Sequence, residues 1–258
     1  MVMNTSARHS KAGKTGTLRT KLTKRRALTA LAVGALAATT ALLPTAAQAS
    51  GTLLGDDVSS HQGNVNWSAT KSAGAAFSYS KATEGTYYTN PYFAQQYNGA
   101  YNAGLIRGAY HFATPNTTGG ATQADYFVAH GGGWSADGRT LPGALDIEYN
   151  PYGAECYGLS QASMRSWIAS FLNEYHAKTS RWAVIYTTTD WWTTCTGNYG
   201  GFAANDPLWV AKYTSTPGTL PGGWGFYTFW QYADSGAMAG DQDRFNGDAS
   251  RLRALALG

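Results

Sequence analysis

The sequence has few residues suited to metal binding or thiol chemistry, with two cysteines and five histidines among its 258 residues. The histidines show no metal-ligand spacing and no histidine neighbours the cysteine pair, so no zinc site is predicted. The sequence also lacks the Gly-x-Ser-x-Gly turn of serine hydrolases and a glycine-rich phosphate loop after a strand. These absences argue against the common nucleophilic and nucleotide-dependent sites, and we expect a protein without a metal or another cofactor.

Acidic residues are absent from the first 49 residues, which hold eight of the 19 lysines and arginines. These basic residues precede an apolar run at 27–43 and then Ala-Gln-Ala at 47–49. Such an order is typical of a secretory signal, and the run is shorter than the roughly 20 strongly apolar residues of a membrane span. We therefore expect residues 1–49 to be a cleaved signal peptide, and the mature chain 50–258 to be secreted, extracellular and free of the membrane.

Removal of this segment reverses the sign of the charge. Eleven basic and 15 acidic residues remain, so the formal net charge changes from +4 to −4. No polybasic patch remains to bind nucleic acid, and about 209 residues suffice for one domain with a sizeable core. We expect a single-domain monomer without a nucleic-acid partner.

The two cysteines, Cys156 and Cys195, both lie in the predicted mature chain. In an exported protein such a pair is expected to form a disulfide. Closure of this loop of about 40 residues would contribute about 4 kcal/mol in the chain-entropy model.

Short β-rich runs alternate with helical patterns along the mature chain, which predicts a parallel sheet with helices packed outside it. The predicted strands are 52–58, 76–82, 106–112, 143–148, 182–188, 207–212 and 226–231. A helix is predicted at 161–177, capped by Ser160, because its apolar residues recur at helical spacing. A second helix is predicted to start with Asn90 as its cap and Pro91 in its first turn, and a third covers 248–257.

Polar residues collect at or just after the carboxyl ends of the predicted strands. They are Asp57, Ser59, Lys81, Glu84, His111, Asp146, Glu148, Tyr186, Lys212 and Gln231. Any one of them is compatible with a strand that simply reaches water. Together they predict an active site at the edge where α/β barrels and open α/β sheets place theirs.

Two carboxylates, Asp146 and Glu148, stand two residues apart at the end of the strand at 143–148. Side chains alternate along a strand, so both are expected on the same face. Like charges at that spacing resist joint ionisation, which leaves one group protonated as a general acid. An ion pair or a metal site is the structural alternative, with His111 as the one plausible imidazole.

Aromatic residues are abundant, with 26 tryptophans and tyrosines, many of them in loops or at strand ends. Flat rings with polar tips suit the alternating CH faces and hydroxyls of a saccharide. Part of this set must be core, and we expect Trp167 and Trp182 there.

Six motifs follow one another in the mature chain. They are Asp-Val-Ser-Ser-His-Gln-Gly at 57–63, Lys-Ala-Thr-Glu-Gly at 81–85, Arg-Gly-Ala-Tyr-His-Phe at 107–112, Asp-Ile-Glu at 146–148, Trp-Gln-Tyr at 230–232 and Asp-Arg-Phe-Asn-Gly at 243–247. In this order they closely resemble the glycoside hydrolase family 25 lysozymes, the bacterial and phage N-acetylmuramidases. The resemblance implies a modified, TIM-like α/β barrel. It also implies hydrolysis of the β-1,4 bond between N-acetylmuramic acid and N-acetylglucosamine in peptidoglycan.

The resemblance also implies roles for particular residues. Glu148 is similar to the catalytic acid and Asp146 to its partner, and Asp57 and Asp243 resemble two further acids that line the groove. Tyr110, Tyr186 and Trp209 resemble groove aromatics, and Lys81 and Gln231 are expected to bind substrate beside them. Crowding by Asp57, Asp146 and Asp243 is expected to raise the pKa of Glu148.

Two questions stay open at this point. Asp146 orients the substrate's own 2-acetamido group for attack in one mechanism, whereas a carboxylate attacks directly in the other. The alternative functions are a chitinase-like endo-N-acetylglucosaminidase and an inactive wall-binding module.

Overall fold

A closed barrel of eight strands forms the centre of the structure, a computed structural model that describes residues 51–258. The strands are β1 (Leu53–Val58), β2 (Ala75–Glu84), β3 (Tyr88–Thr89), β4 (Ile106–Phe112), β5 (Ala144–Asp146), β6 (Val184–Thr187), β7 (Leu208–Ala211), β8 (Phe229–Ala233) and β9 (Asp241–Phe245). All except β3 belong to the barrel, and β3 pairs antiparallel with the end of β2.

The barrel departs from the regular parallel form at one strand. The order around it is β1, β2, β4, β5, β6, β7, β8 and β9, and β9 closes onto β1. Neighbouring strands are parallel from β1 to β8, whereas β9 is antiparallel to both β8 and β1. This arrangement confirms the prediction of a modified TIM-like α/β barrel in one domain.

Six α-helices surround the barrel within residues 51–258. They are α1 (Trp67–Ser72), α2 (Phe93–Asn102), α3 (Gly120–Phe127), α4 (Gln161–Thr179), α5 (Thr189–Thr196) and α6 (Ala249–Leu257). None of the helices in this range is long and apolar enough to cross a membrane. The proposed signal peptide lies outside the described residues.

The seven predicted strands are all present, with ends that shift by up to three residues. Strand β9 was not predicted, because Asp-Gln-Asp-Arg-Phe has no β-branched residue and only one apolar residue, its final Phe. Its carboxylates face the barrel interior, where neighbouring strands supply the partners. Tertiary contacts therefore decide the structure of this segment.

The helix predictions hold for α4 and α6 and fail at the start of α2. In α4 the Ser160 side chain caps the helix by accepting a hydrogen bond from the Ser163 amide. The apolar residues of the predicted helical pattern are all buried, and they are Met164, Trp167, Ile168, Phe171, Leu172 and Tyr175. Helix α2 begins at Phe93, and Asn90 is not its cap. The Asn90 amide instead donates to the Lys81 carbonyl and to Gln96, which ties this segment to the end of β2.

Two apolar layers hold the barrel. Aromatic rings fill its interior, where Gly55 and Gly108 leave room for the rings of Phe77 and Tyr79 that a Cβ would displace. A second layer between the strands and helices α3 and α4 contains Trp167, as predicted, with Trp182 partly buried at its edge.

The predicted disulfide between Cys156 and Cys195 is present, with 5.3 Å between the two Cα atoms. It joins the loop after β5 to helix α5. Both segments lie at the carboxyl ends of the strands, so the bond restrains the rim of the barrel where the polar residues collect.

Candidate active site

A small cavity of about 80 Å³ lies at the carboxyl ends of the barrel strands, with acidic side chains around it. Asp57, Asp146, Glu148 and Asp241 line it, together with Tyr110, Tyr186, Trp209 and Gln231. A wider cavity of about 370 Å³ adjoins it and shares the same four acidic side chains. We call these two cavities the acidic groove.

The structure brings together eight of the nine residues that the sequence predicted for the site. The eight are Asp57, Lys81, Tyr110, Asp146, Glu148, Tyr186, Trp209 and Gln231. The three predicted aromatic residues belong to the interior layer and are almost fully buried, so they form the floor of the groove.

The ninth predicted residue, Asp243, lies beneath the groove floor and has no exposed surface. Asp241 lines the groove instead. Both side chains face the interior, but in β9 Asp241 pairs with Asp57 and Asp243 pairs with Gly55. At about 3.4 Å of rise per residue, Asp243 is therefore roughly 7 Å deeper along the strand. The prediction that Asp243 lines the groove is wrong for this reason.

Asp243 has polar partners in the barrel interior. The Trp209 indole Nε1 donates to its Oδ1 at 2.8 Å. Its carboxyl also shares a hydrogen bond with Asp57, and a bond between two carboxyl groups requires that one of them carries the proton. Burial, followed by the charge of Asp57, raises the pKa of Asp243 well above its usual range, and burial followed by the charge of Asp241 does the same for Asp57, so the pair holds a proton between its two carboxyls.

Gln231 holds the opposite side of Asp57. Its Nε2 donates to Asp57 Oδ2 at 2.7 Å, and its Oε1 accepts hydrogen bonds from Tyr186 and Tyr213, each at 2.8 Å. Its amide orientation is therefore set by both neighbours. Tyr213 was not predicted as a site residue, since it follows β7 in a loop without a recognisable motif.

Burial raises the pKa values of the carboxylates in the groove. The pKa of Glu148 rises to about 7, mainly through burial, while Lys81 lowers it and the charge of Asp241 raises it. Burial and then the charge of Glu148 raise the pKa of Asp146 well above its usual range. The Asp146–Glu148 pair therefore holds a proton at neutral pH, as the sequence predicted.

The physical cause differs from the predicted crowding by three acids. Burial makes the largest contribution to the raised pKa of Glu148. The neighbouring charge that raises it further belongs to Asp241 and not to Asp243, and Asp146 lowers this pKa through a hydrogen bond. A carboxyl in a hydrogen bond to a second carboxyl stabilises the ionised partner, whereas a bare charge would destabilise it.

Lys81 lies between the Asp146–Glu148 pair and Glu84. Its Nζ is 2.6 Å from Glu84 Oε2 and 4.7 Å from the centroid of the Phe112 ring. Burial raises the pKa of Glu84, but hydrogen bonds from Lys81, Tyr152 and Tyr87 outweigh it and leave that pKa below its usual value. Lys81 therefore lines the acidic groove as a charge that is already paired with Glu84, which lies outside the lining of the groove.

His111 does not reach the groove. It is completely buried, and its ring nitrogens bond to Thr83 Oγ1 at 2.8 Å and Gln123 Oε1 at 2.9 Å. Burial lowers its pKa to about 4, so the ring is neutral and joins β4 to helix α3. Within residues 51–258 no group of three or more His, Cys, Asp or Glu side chains is arranged to hold a metal ion.

The profile described as Glycosyl hydrolases family 25 matches residues 56–241, which contain all four acids of the groove. The chain belongs to glycosyl hydrolase family 25. Lysozyme M1 of Streptomyces globisporus is 56% identical over 207 residues, which cover 78% of this chain and 70% of that protein. The N,O-diacetylmuramidase of a Chalaropsis species is 52% identical over 211 residues, 80% of this chain and 100% of that one.

Solved structures of family 25 share the fold. The family GH25 lysozyme from Aspergillus fumigatus superimposes with a TM-score of 0.79 at 55% identity, covering 81% of this chain and 100% of its own. The bacterial lysozyme from Streptomyces coelicolor gives a TM-score of 0.77 at 56% identity, covering 80% and 97%. The resemblance inferred from six sequence motifs is thereby confirmed.

Proposed function

We propose that this family 25 protein is a muramidase that hydrolyses the β-1,4 bond between N-acetylmuramic acid and N-acetylglucosamine in peptidoglycan. The observation that carries the proposal is the pair formed by the buried Asp146 and the half-buried Glu148 in an open groove, where Glu148 has a pKa of about 7. Relatives named lysozyme and N,O-diacetylmuramidase at 52–56% identity support the same substrate.

Glu148 is the proposed general acid. It transfers its proton to the glycosidic oxygen as the bond from the anomeric carbon to that oxygen breaks, and the leaving sugar departs with a new hydroxyl group. A pKa of about 7 suits this role, because the carboxyl is largely protonated at mildly acidic pH and still acidic enough to donate.

Asp146 is proposed to orient the 2-acetamido group of the substrate, whose carbonyl oxygen attacks the anomeric carbon. The two carboxyls of a direct-attack enzyme stand about 5–5.5 Å apart on opposite sides of the scissile bond. A single residue separates Asp146 from Glu148 at the end of β5, and both line the same small cavity, so they do not face each other across a bound sugar. This arrangement favours attack by the acetamido group over attack by Asp146.

Asp57 and Asp241 are proposed to stabilise the positive charge that develops on the sugar ring, since both line the groove opposite the catalytic pair. Asp243 is proposed as a positioning residue that holds Asp57 from below. We propose that the groove floor, formed by Tyr110, Tyr186 and Trp209, supports the sugar. Lys81 and Gln231 are proposed to bind the edges of the sugar.

We also propose that residues 1–49 are a secretory signal and that 50–258 form the mature catalytic domain. The disulfide is consistent with an oxidising extracellular environment. Mass spectrometry of protein from culture medium should find an amino terminus near residue 50. An intact leader on the exported protein would contradict this proposal.

An assay of new reducing ends tests the proposed function. Purified peptidoglycan digested by the protein should release fragments with N-acetylmuramic acid at the reducing end. A chitinase-like enzyme would instead release N-acetylglucosamine ends from chitin oligomers, and a wall-binding module would release none. Either result would overturn the proposal.

A further inference from the structure

Four arginines collect at the end of the barrel that is opposite the acidic groove. They are Arg107, Arg139, Arg181 and Arg253, and we call the surface that they form the arginine face. Arg107 lies near the start of β4, whereas Phe112 at the end of the same strand lines the groove. At about 3.3 Å of rise per residue, these two positions are roughly 16 Å apart. A ligand on the arginine face therefore leaves the groove open.

Tyrosine rings and main-chain carbonyls hold the first two guanidinium groups. The guanidinium carbon of Arg107 lies 4.2 Å from the centroid of the Tyr97 ring and 4.3 Å from that of the Tyr101 ring. The guanidinium carbon of Arg139 is 3.7 Å from the centroid of the same Tyr101 ring. Arg139 Nη2 also donates to the carbonyls of Tyr101 and Leu105. Two positive charges thus share one aromatic ring.

The other two arginines lie beside the carboxyl half of α6. The guanidinium carbon of Arg181 is 5.1 Å from the centroid of the Trp134 ring, and its Nη2 donates to a main-chain carbonyl of α6 at 3.4 Å. Arg253 is exposed, and a Cβ placed on Gly138 would lie 3.4 Å from its Nε. Because Gly138 directly precedes Arg139, the two pairs of arginines meet at the loop before β5.

The arginine face carries positive charge that the protein does not neutralise. Within residues 51–258 the ion pairs involve Lys81 and Lys178, and no arginine is paired with a carboxylate. One acid, Asp137, lies in the loop before β5, and its carboxylate accepts hydrogen bonds from neighbours in that loop. Four positive side chains therefore stand against one negative side chain, on a mature domain whose formal net charge is −4.

Guanidinium groups held in this way suit phosphate. The planar group presents several N–H donors in a fixed geometry that matches two oxygens of a phosphate. Because rings and carbonyls already fix three of the four arginines, binding costs little side-chain entropy. Four such groups around one loop suit a chain of repeated phosphates better than a single small anion.

We propose that the arginine face binds the phosphodiester backbone of a polyol phosphate chain attached to the bacterial cell wall. The choice of this polymer rests on the proposed muramidase function, which places the enzyme in the wall. Because the arginine face and the groove lie at opposite ends of the barrel, the contact holds the enzyme on the wall while the groove stays free to cleave. It acts on retention at the substrate and not on the chemical step.

The first measurement is calorimetric binding of a synthetic glycerol phosphate oligomer. Arg139→Gln and Arg253→Gln should each weaken binding about five-fold at low salt, which corresponds to about 1 kcal/mol, the upper range for a surface ion pair. The loss should shrink as salt is added, because salt screens surface charges. Within the described residues Arg253 makes no side-chain hydrogen bond, so Arg253→Gln decides the proposal even if Arg139→Gln fails to fold.

Arg165→Gln is the matched control, because it removes the same charge from a similar setting. Arg165 stacks 5.4 Å from the centroid of the Tyr199 ring and donates to the Thr196 carbonyl at 3.2 Å. It lies near the start of α4, at the other end of that helix from Arg181. Arg165→Gln should leave binding of the oligomer unchanged.

The second measurement uses purified walls before and after hydrofluoric acid treatment, which hydrolyses the phosphodiester bonds and leaves the peptidoglycan. In a Glu148→Gln background, which keeps the walls intact, more protein should sediment with untreated walls than with treated walls. Arg253→Gln should reduce that difference. In the active enzyme, Arg253→Gln should leave kcat/KM for a soluble peptidoglycan fragment at the wild-type value.

Several outcomes would overturn the assignment of the arginine face. Unchanged binding in both face variants, or an equal loss with Arg165→Gln, would mean that the face makes no specific contact. Tighter binding of a DNA oligonucleotide or of anionic lipid vesicles at the same phosphate concentration would assign the face to nucleic acid or to a membrane. If the wild-type protein cleaved no peptidoglycan, the muramidase proposal would fail, while binding of the oligomer would still decide the arginine face.

Discussion

At the residue scale, the Glu148 carboxyl lies in hydrogen-bond contact with Asp146 and within electrostatic reach of Lys81 and Asp241. Burial contributes most to its raised pKa, so the site depends on the closed walls of the barrel as much as on neighbouring charge. The raised pKa of Glu148 therefore comes mainly from its position in the barrel, and the surrounding residues adjust it.

Glu148→Gln should lower kcat on peptidoglycan about 100- to 10,000-fold, because the amide keeps the shape but cannot donate a proton to the leaving oxygen. Glu174→Gln on helix α4 serves as a control and should keep the wild-type rate. The measurement is the release of reducing ends at a fixed mildly acidic pH. A Glu148→Gln enzyme with near-normal activity would mean that the acid is misassigned.

Asp241 and Asp243 provide a matched pair of variants two residues apart on β9. Asp243→Asn should lower kcat/KM less than ten-fold, because an amide can still donate to Asp57 and accept from Trp209, as a protonated acid does. Asp241→Asn should lower kcat/KM at least ten-fold more than Asp243→Asn does. It should also move the alkaline limb of the pH profile of activity to lower pH, since the charge of Asp241 raises the pKa of Glu148.

Asp243→Leu, which removes both hydrogen bonds, should lose activity that Asp243→Asn retains. Thermal unfolding of the three variants separates a misplaced Asp57 from a damaged fold. If Asp243→Asn were the more damaging of the two asparagine substitutions, the placement of Asp241 in the groove and of Asp243 below it would be contradicted.

At the element scale, helix α4 shows how an amphipathic pattern becomes a layer of the core. Its apolar side chains recur at i, i+3 and i+4, and all of them contact the layer outside the sheet. Helix α3 packs against it, and the Trp167 indole donates to the Thr118 carbonyl at 2.8 Å, which ties α4 to the segment just before α3.

Trp167→Ala should lower the free energy of unfolding by about 3–5 kcal/mol, the usual cost of removing a buried aromatic side chain. Asn173→Ala, at an exposed position of the same helix, should change it little. Urea unfolding followed by circular dichroism measures both. A loss below about 1 kcal/mol for Trp167→Ala would show that the helix is not anchored by this contact.

The disulfide acts on a second element, the rim loop between β5 and α4. Replacement of both Cys156 and Cys195 by alanine should lower the stability by about 4 kcal/mol, because 39 residues separate them and the unfolded chain regains the entropy of that loop. The double replacement avoids a free thiol. Unfolding midpoints that match those of the wild-type protein would contradict the expected effect.

At the scale of the whole molecule, buried carboxylates link folding to pH. Burial raises the pKa values of Asp56 and Asp241 to about 6, of Glu148 to about 7 and of Asp206 to about 8. The folded state therefore binds more protons than the unfolded state above pH 4. Stability is highest below that pH range and is lost as the pH rises through 6 to 8.

We expect Tm to fall by several degrees between pH 5 and pH 8, since 1 kcal/mol corresponds to about 2–4 °C in a domain of this size. Activity should fall over the upper part of the same range as Glu148 loses its proton. Asp206→Asn should reduce the slope of Tm against pH and leave activity unchanged, because Asp206 lies outside the groove. A Tm that rises towards pH 8 would show that burial is not the dominant cause.

The sequence by itself determined the features that depend on local pattern. Side-chain alternation predicted Asp146 and Glu148 on one side, and both line the groove although β5 ends at Asp146. Helical spacing located α4, and the order of six motifs identified the family. These signals are carried by residues close together along the chain, so no knowledge of the fold is needed to interpret them.

Only the tertiary structure decided the depth and the direction of particular side chains. Asp241 lies at the level of Asp57 and Asp243 one layer below, because β9 enters the barrel antiparallel and its register joins segments nearly 190 residues apart. His111 points out to helix α3, and Tyr87 and Tyr152 meet on Glu84. Strand register and the path of the loops decide which of these side chains come into contact. The pattern of residues along the sequence does not specify either of them.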